Sequence, residues 1–330
     1  MTRRGFTARR GAALREPSPR PTVYFRNAVA TEMQVARTGL TKNLAKKRGF
    51  KRGAAAAALL GAGSLGACAY NEELGRSQLI VAGSQQMAQA GTAAWNDIKQ
   101  KQRVSTDPRY TERLNRVAPR IIRAAGEDPA EWEYLVFEDE SLNAFALPGK
   151  KFGVHTGIMD IMENDAQLAA VVGHEVAHVN YRHSAERSSQ GMLAQVGLAA
   201  ATIGLSTRCG NTRTAAERRS CQQSSQGVAQ ALGVGAMYGA ILPFSRKHEL
   251  EADTGGVRYM ARAGYDPEEA LDFWTNMAAR SADRQKPPEF ASTHPADETR
   301  IANLRREVDA IRSATRTSAV EADAEPTALP

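Results

Sequence analysis

No uninterrupted apolar run of about 20 residues, the length a membrane-crossing helix needs, occurs in this 330-residue chain. The nearest approaches begin at Ala54, Met192 and Val228, and all are short and rich in glycine and alanine. Cysteine is scarce as well. Of the three, Cys68 stands in an N-terminal pattern of its own, leaving Cys209 and Cys221, too few for a structural zinc site closed by thiolates. Acidic residues are nearly missing from the first 67 positions, which hold 2 of the 36 Asp and Glu but 14 of the 43 Lys and Arg. The remainder carries 34 acidic and 29 basic residues, a formal net charge of −5, so the +7 of the whole chain belongs to its leader. That charge gives no argument for nucleic-acid binding by the rest of the protein. No internal repeat recurs, which excludes a solenoid.

What the chain does have is His174-Glu175-Val176-Ala177-His178. Two histidines four residues apart project from one face of a helix, so both imidazoles reach a single metal ion. Glu175 then lies beside that ion, placed to take a proton from a water that the metal acidifies. The surrounding pattern predicts a helix from Asn164 to Arg187, capped by Asn164 or Asp165, with Leu168, Val171, Val172 and Val179 on an apolar face. Gly173 costs such a helix about 1 kcal/mol relative to alanine and predicts close approach of another element.

Catalytic zinc usually takes three protein ligands and keeps one position open. One class of enzyme draws the third from a histidine six residues past the second, but here that position is Ser184 and the glycine its loop needs is Tyr181. Along a continuing helix His183 faces away from His174 and reads as a structural or surface residue. The segment His248 to Gly256 opens a second helix that runs to Gly264, with Pro267 just beyond. Glu249, Asp253 and Gly256 share one of its faces. Glu249 can coordinate, Asp253 can accept the spare ring N–H of a ligand histidine, and Gly256 lets two helices approach. An acidic, solvated helix start is the alternative reading of the same residues.

Elsewhere, Glu131 to Phe137, Asn143 to Leu147 and Lys151 to His155 read as short strands around a Pro148-Gly149 turn. Helices are expected over Ser77 to Gln102 and over Glu112 to Ala125, the latter despite Pro119. Pro295 disfavours helix at His294 and opens one whose apolar face is Ile301, Leu304, Val308 and Ile311.

The ordered series Asn143-Ala144-Phe145-Ala146-Leu147-Pro148-Gly149, Thr156-Gly157-Ile158-Met159, His174 to His178, Glu249-x-x-x-Asp253 and Ser292-Thr293-His294-Pro295 resembles the M48 family of zinc metallopeptidases over roughly Arg109 to Leu304. The resemblance implies an α+β, zincin-like fold, mainly helical, with a small β-sheet preceding the zinc helix. It implies one Zn2+ per chain, held by His174, His178 and Glu249 rather than Glu251, with Glu175 catalytic and Asp253 supporting a ligand histidine. His294 would lie near the metal, steadying an oxyanion or occupying the open position in a closed form, against a capping or packing role. An edge strand at Asn143, Ala144 and Phe145 would pair with the main chain of an extended substrate.

Upstream, Lys46 to Arg52 is basic, an apolar stretch begins at Ala54, and Leu65-Gly66-Ala67-Cys68 resembles a bacterial lipoprotein cleavage site. Cys68 would then be the lipidated first residue of the mature protein, with Met33 an alternative start to Met1. Ala69 is not the aspartate that retains such lipoproteins in the inner membrane, so the resemblance favours an outer-membrane anchor facing the periplasm. An oxidising compartment permits a Cys209–Cys221 disulfide across a hairpin of two apolar helices packed on the domain, which gates the cleft or is purely structural. The expected organisation is a leader over 1–67, a tether and helix over 68–106, a peptidase domain over 107–312 and a disordered tail over 313–330. The expected activity is zinc-dependent endoproteolysis of unfolded or misassembled cell-envelope proteins, by a chain attached to the membrane through Cys68, with no nucleic-acid partner and its oligomeric state open. An envelope chaperone or assembly factor that uses the same cleft and cleaves rarely is the alternative.

Overall fold

Asn164 turns its side chain onto the backbone N–H of Gln167 at 3.0 Å and so starts the central helix of the protein. The computed structural model describes residues 68–210, 212, 214–236, 242–282, 290, 294 and 298–324. The leader over 1–67, with its signal-peptide pattern, lies outside the described residues. In chain order the elements are β1 (Cys68–Asn71), β2 (Arg76–Leu79), α1 (Ser84–Lys101), α2 (Pro108–Ala124), β3 (Glu133–Phe137), β4 (Ala144–Leu147), β5 (Lys151–His155) and α3 (Thr156–Asp160). Then follow α4 (Asp165–Asn180), α5 (His183–Gly210), α6 (Ala215–Ala236), α7 (Leu242–Arg262), α8 (Glu268–Ala282) and α9 (Glu298–Ala324). The class is α+β and mainly helical, as the sequence indicates.

Every residue of α4 from Gln167 to His178 is buried, which is why it is apolar around its whole circumference. One side packs on α2, whose buried Leu114, Val117, Ala118, Ile121 and Ile122 recur at helical spacing. Each such side chain contributes about 1.5–3 kcal/mol on full burial. Another side meets α7 at two glycines. A Cβ on Gly173 would lie 2.9 Å from the Gly256 carbonyl oxygen, and one on Gly256 would lie 2.9 Å from the His174 nitrogen. The helices touch backbone to backbone there, as the placement of Gly173 and Gly256 predicts. α7 then ends through Gly264 at φ 76°, where the Tyr265 N–H donates to the Met260 carbonyl.

The three-stranded sheet has the order β3-β5-β4, with β5 parallel to β3 and antiparallel to β4. Its two faces serve different cores. Ala144, Phe152 and Val154 join the main core around α4, whereas Phe137 and Phe145 pack on the fully buried Trp95 of α1. β4 is an edge strand. Because the His155 N–H donates to the Asn143 carbonyl and pairing alternates along the ladder, the backbone groups of Ala144 and Ala146 point away from β5.

Four expectations need correction. The helix expected from Ser77 begins at Ser84, because Arg76–Leu79 pairs with Cys68–Asn71 as a hairpin and Gly83 is extended. Residues 68–106 are therefore an integral part of the domain rather than a tether, anchored by Trp95. The helix expected to run from Asn164 to Arg187 stops at Asn180; Arg182 adopts φ 52° and redirects the chain into α5. The tail expected to be disordered from Ser313 continues α9 to Ala324, since no glycine or proline interrupts the segment before Pro326.

The disulfide between Cys209 and Cys221 closes the α5–α6 hairpin, a 12-residue separation that contributes about 3 kcal/mol in the chain-entropy model. Only the base of that hairpin packs on the domain, through Ala185, Glu186 and Ser189, while Met192, Val196 and Ile203 are 50%, 54% and 66% exposed. Among the described residues no helix is long and apolar enough to cross a membrane.

Candidate metal centre

The α4–α7 crossing places four side chains around one point. His174 and His178 project from α4, Glu249 and Asp253 from α7, and all four are buried. His174 Nε2 lies 3.1 Å from His178 Nε2 and 3.3 Å from Glu249 Oε2, and His178 Nε2 lies 3.5 Å from Glu249 Oε1. Ligand atoms bonded to zinc at about 2.0–2.1 Å in a tetrahedron stand roughly 3.3 Å apart, so this donor set fits such an ion. The other nitrogen of each histidine is already engaged: His174 Nδ1 lies 2.9 Å from Asp253 Oδ1, and His178 Nδ1 lies 2.8 Å from His183 Nδ1. Glu251 is not in this cluster; it faces His183 and Arg76.

His294 reaches the same point from the segment before α9. Its backbone N–H donates to the Phe290 carbonyl, and Phe290 is stacked at 5.4 Å on Trp274 of α8. This places His294 Nδ1 3.2 Å from His174 Nε2 and 2.8 Å from Glu249 Oε2, and its Nε2 3.4 Å from Glu175 Oε1. His294 therefore stands among the ligand atoms, as a fourth corner.

Glu175 is held at the wall of the cluster by the Ala146 N–H of edge strand β4, 2.8 Å from Oε2. Burial pushes its carboxyl above the usual range, with the nearby histidines opposing. Burial acts on Glu249 in the same sense, but His294, His178 and His174 outweigh it and hold that carboxylate well below the ordinary value. His178 is pushed well below the usual histidine value by burial. His174, although buried, is raised to about 9 by Asp253 and Glu249.

Of the three residues expected on the substrate strand, Asn143 and Phe145 direct their backbone groups to β5, and the Phe145 ring is buried against Trp95 and Phe137. The outward main chain belongs to Ala144 and Ala146. This parity follows from the register and is invisible before pairing is known. Cys68 opens β1, exposed and outside any disulfide.

Two parts of the site escape sequence reasoning. Arg300 of α9 donates to both oxygens of Asp253, at 2.8 and 2.7 Å, and its guanidinium lies 4.2 Å over the Trp274 ring. Its signal was a charged residue on the buried stripe of Leu304 and Val308. The second part is the network below His178, built from His183, Glu251, Arg76, Glu186, Gln78 and His248. No motif marks it, because the break at Arg182 creates it.

Comparison with known proteins agrees with this geometry. The model of peptidase family M48 matches residues 108–308. The mitochondrial metalloendopeptidase OMA1 of Schizosaccharomyces pombe is 36% identical over 193 residues, which cover 58% of this chain and 51% of that protein. A putative beta-barrel assembly-enhancing protease of Vibrio cholerae is 28% identical over 218 residues, 65% of this chain and 42% of that protein. The beta-barrel assembly-enhancing protease of Escherichia coli is 27% identical over 210 residues, 62% and 40% of the two chains. The chain thus spans about half the length, or less, of these curated relatives.

Proposed function

The chain belongs to peptidase family M48, and from that premise we propose that it is a zinc-dependent metalloendopeptidase acting on unfolded or misassembled proteins of the bacterial cell envelope. The observation that carries this reading is the convergence of His174 Nε2, His178 Nε2 and Glu249 at the spacing of zinc ligands, with Glu175 alongside. Zinc bound there polarises a carbonyl and lowers the pKa of water. The protein's own groups do the rest. Glu175, held by the Ala146 N–H, accepts the proton of the attacking water and passes it to the leaving amine, and its raised pKa suits a base that must return the proton. Asp253 fixes the ring of His174. The outward main chain of Ala144 and Ala146 offers an edge for an extended peptide, a mode that reads backbone and favours unfolded segments.

The envelope setting draws support from the Leu65-Gly66-Ala67-Cys68 pattern, the exposed thiol of Cys68 and the printed names of the beta-barrel assembly-enhancing relatives. Acylation of Cys68 anchors the chain to the outer membrane in this reading, and mass spectrometry of the native protein tests it.

The activity is tested by incubating the zinc-loaded chain from residue 68 onward, bearing Cys68→Ser, with an unfolded protein. A chelator arm and Glu175→Gln at matched zinc content run beside it. Cleavage by the first alone establishes the enzyme and its base; cleavage that persists in Glu175→Gln sinks the mechanism. The position of His294 among the ligand atoms favours one second reading, a restrained enzyme that chiefly holds client strands. Restoration of envelope integrity by Glu175→Gln in cells lacking the protein would support it.

A further inference from the structure

His178 presents Nε2 to the metal cluster and Nδ1 to His183, and this pair of contacts settles where the protons lie. A neutral imidazole has one N–H and one lone pair. With the Nε2 lone pair directed at the ion, which rests on the reading above, His178 carries its proton on Nδ1. The only partner the geometry gives that proton is His183 Nδ1, 2.8 Å away, which must accept it. His183 then bears its own proton on Nε2, where Glu251 Oε2 accepts it at 3.1 Å. Arg76 of β2 holds Glu251 in turn, with Nε 2.6 Å from Oε1 and Nη2 2.7 Å from Oε2, and also donates to both oxygens of Glu186. The His183 ring is fully buried, stacked at 4.3 Å on His248. It reaches His178 only because Arg182, at φ 52°, turns the chain out of α4.

We infer that His183 and Glu251 are positioning residues for the metal centre: a hydrogen-bond relay that sets the tautomer and ring orientation of His178 and ties them, through Arg76, to the N-terminal hairpin. His183, His248 and Glu251 also lie close enough together to resemble the ligands of a second ion. The proton inventory decides between the two. Both ring nitrogens of His183 are engaged, and the Arg76 guanidinium already neutralises Glu251, so the group is a relay.

Zinc stoichiometry and affinity, by chelator competition, on the wild type, His183→Leu, His183→Gln and Glu251→Leu test this, with circular dichroism to verify folding. The glutamine amide at 183 can both accept from His178 and donate to Glu251. One zinc per chain is expected, with affinity falling roughly 10–100-fold in His183→Leu and Glu251→Leu and largely recovered in His183→Gln. In the zinc-loaded wild type, side-chain 15N spectra should show His178 protonated on Nδ1 and His183 on Nε2. Two zinc ions per chain, one of them lost in His248→Ala, would overturn the relay, as would the opposite tautomers or unchanged affinity in a folded His183→Leu. A wild type that binds no zinc would sink the site assignment itself and the relay with it.

Discussion

Arg300 grips Asp253 through two hydrogen bonds of 2.7 and 2.8 Å, and Asp253 in turn meets His174 at 2.9 Å, so one ion pair from α9 stands behind the metal histidine of α4. All three side chains are buried, and Arg300 holds the Asp253 carboxylate below its usual value against the opposing effect of burial. Removing the cation leaves a buried charge, which costs about 3–5 kcal/mol. Arg300→Met should destabilise the protein by that amount in urea denaturation and weaken zinc binding. Arg300→Lys should rescue little, because an ammonium lacks the planar fork. A loss below about 1 kcal/mol, within the range of an exposed pair, would show that the carboxylate finds water instead.

Gly256 offers a test by sign. Helix propensity alone favours alanine over glycine by about 1 kcal/mol. The added Cβ, however, would lie 2.9 Å from the backbone nitrogen of His174, which is not the end of a flexible side chain. Gly256→Ala is therefore expected to destabilise by about 1–3 kcal/mol and to lower zinc affinity by displacing His174. A more stable variant with normal zinc binding would show that the helices can separate freely.

His294 stands 3.2 Å from His174 Nε2 and 2.8 Å from Glu249 Oε2, the location of a group that caps the metal centre at rest. His294→Ala should raise the rate of cleavage of an unfolded substrate at matched zinc content. A fall in kcat with unchanged KM would instead give His294 the oxyanion role.

Glu133 on β3 sets an acid limb to the stability curve. Lys99 lies 2.8 Å and Lys151 3.3 Å from its carboxylate; burial opposes them, yet they hold it at about 2. The folded value lies below the unfolded one, so this stabilisation is present above about pH 4.5 and is lost as pH falls through that value toward 2. Glu133 is more than one-third exposed, so solvent screening limits the effect to about 1 kcal/mol or less. Glu133→Gln should lower stability at pH 6 and leave it unchanged at pH 2, as read by denaturation at both values. An equal loss at both would point to packing rather than charge.

The sequence by itself determined everything that depends on spacing within one element. His174, Glu175 and His178 share a helix, Glu249 and Asp253 share another, and Gly173 and Gly256 mark a close approach, because a 3.6-residue period assigns faces without knowledge of the partner. The short strands, the α7 cap at Gly264 and the Cys209–Cys221 pair were legible for similarly local reasons. Only the tertiary structure decided which elements meet. One left-handed residue, Arg182, turned an expected 24-residue helix into two and brought His183 under His178. Strand pairing, not composition, made Ala144 and Ala146 the outward residues of β4 and pointed Phe145 inward. Arg300 looked like a surface charge until α9 packed against α7 and buried it beside Asp253. Such contacts join residues dozens of positions apart, and neither periodicity nor propensity constrains them until the chain has closed on itself.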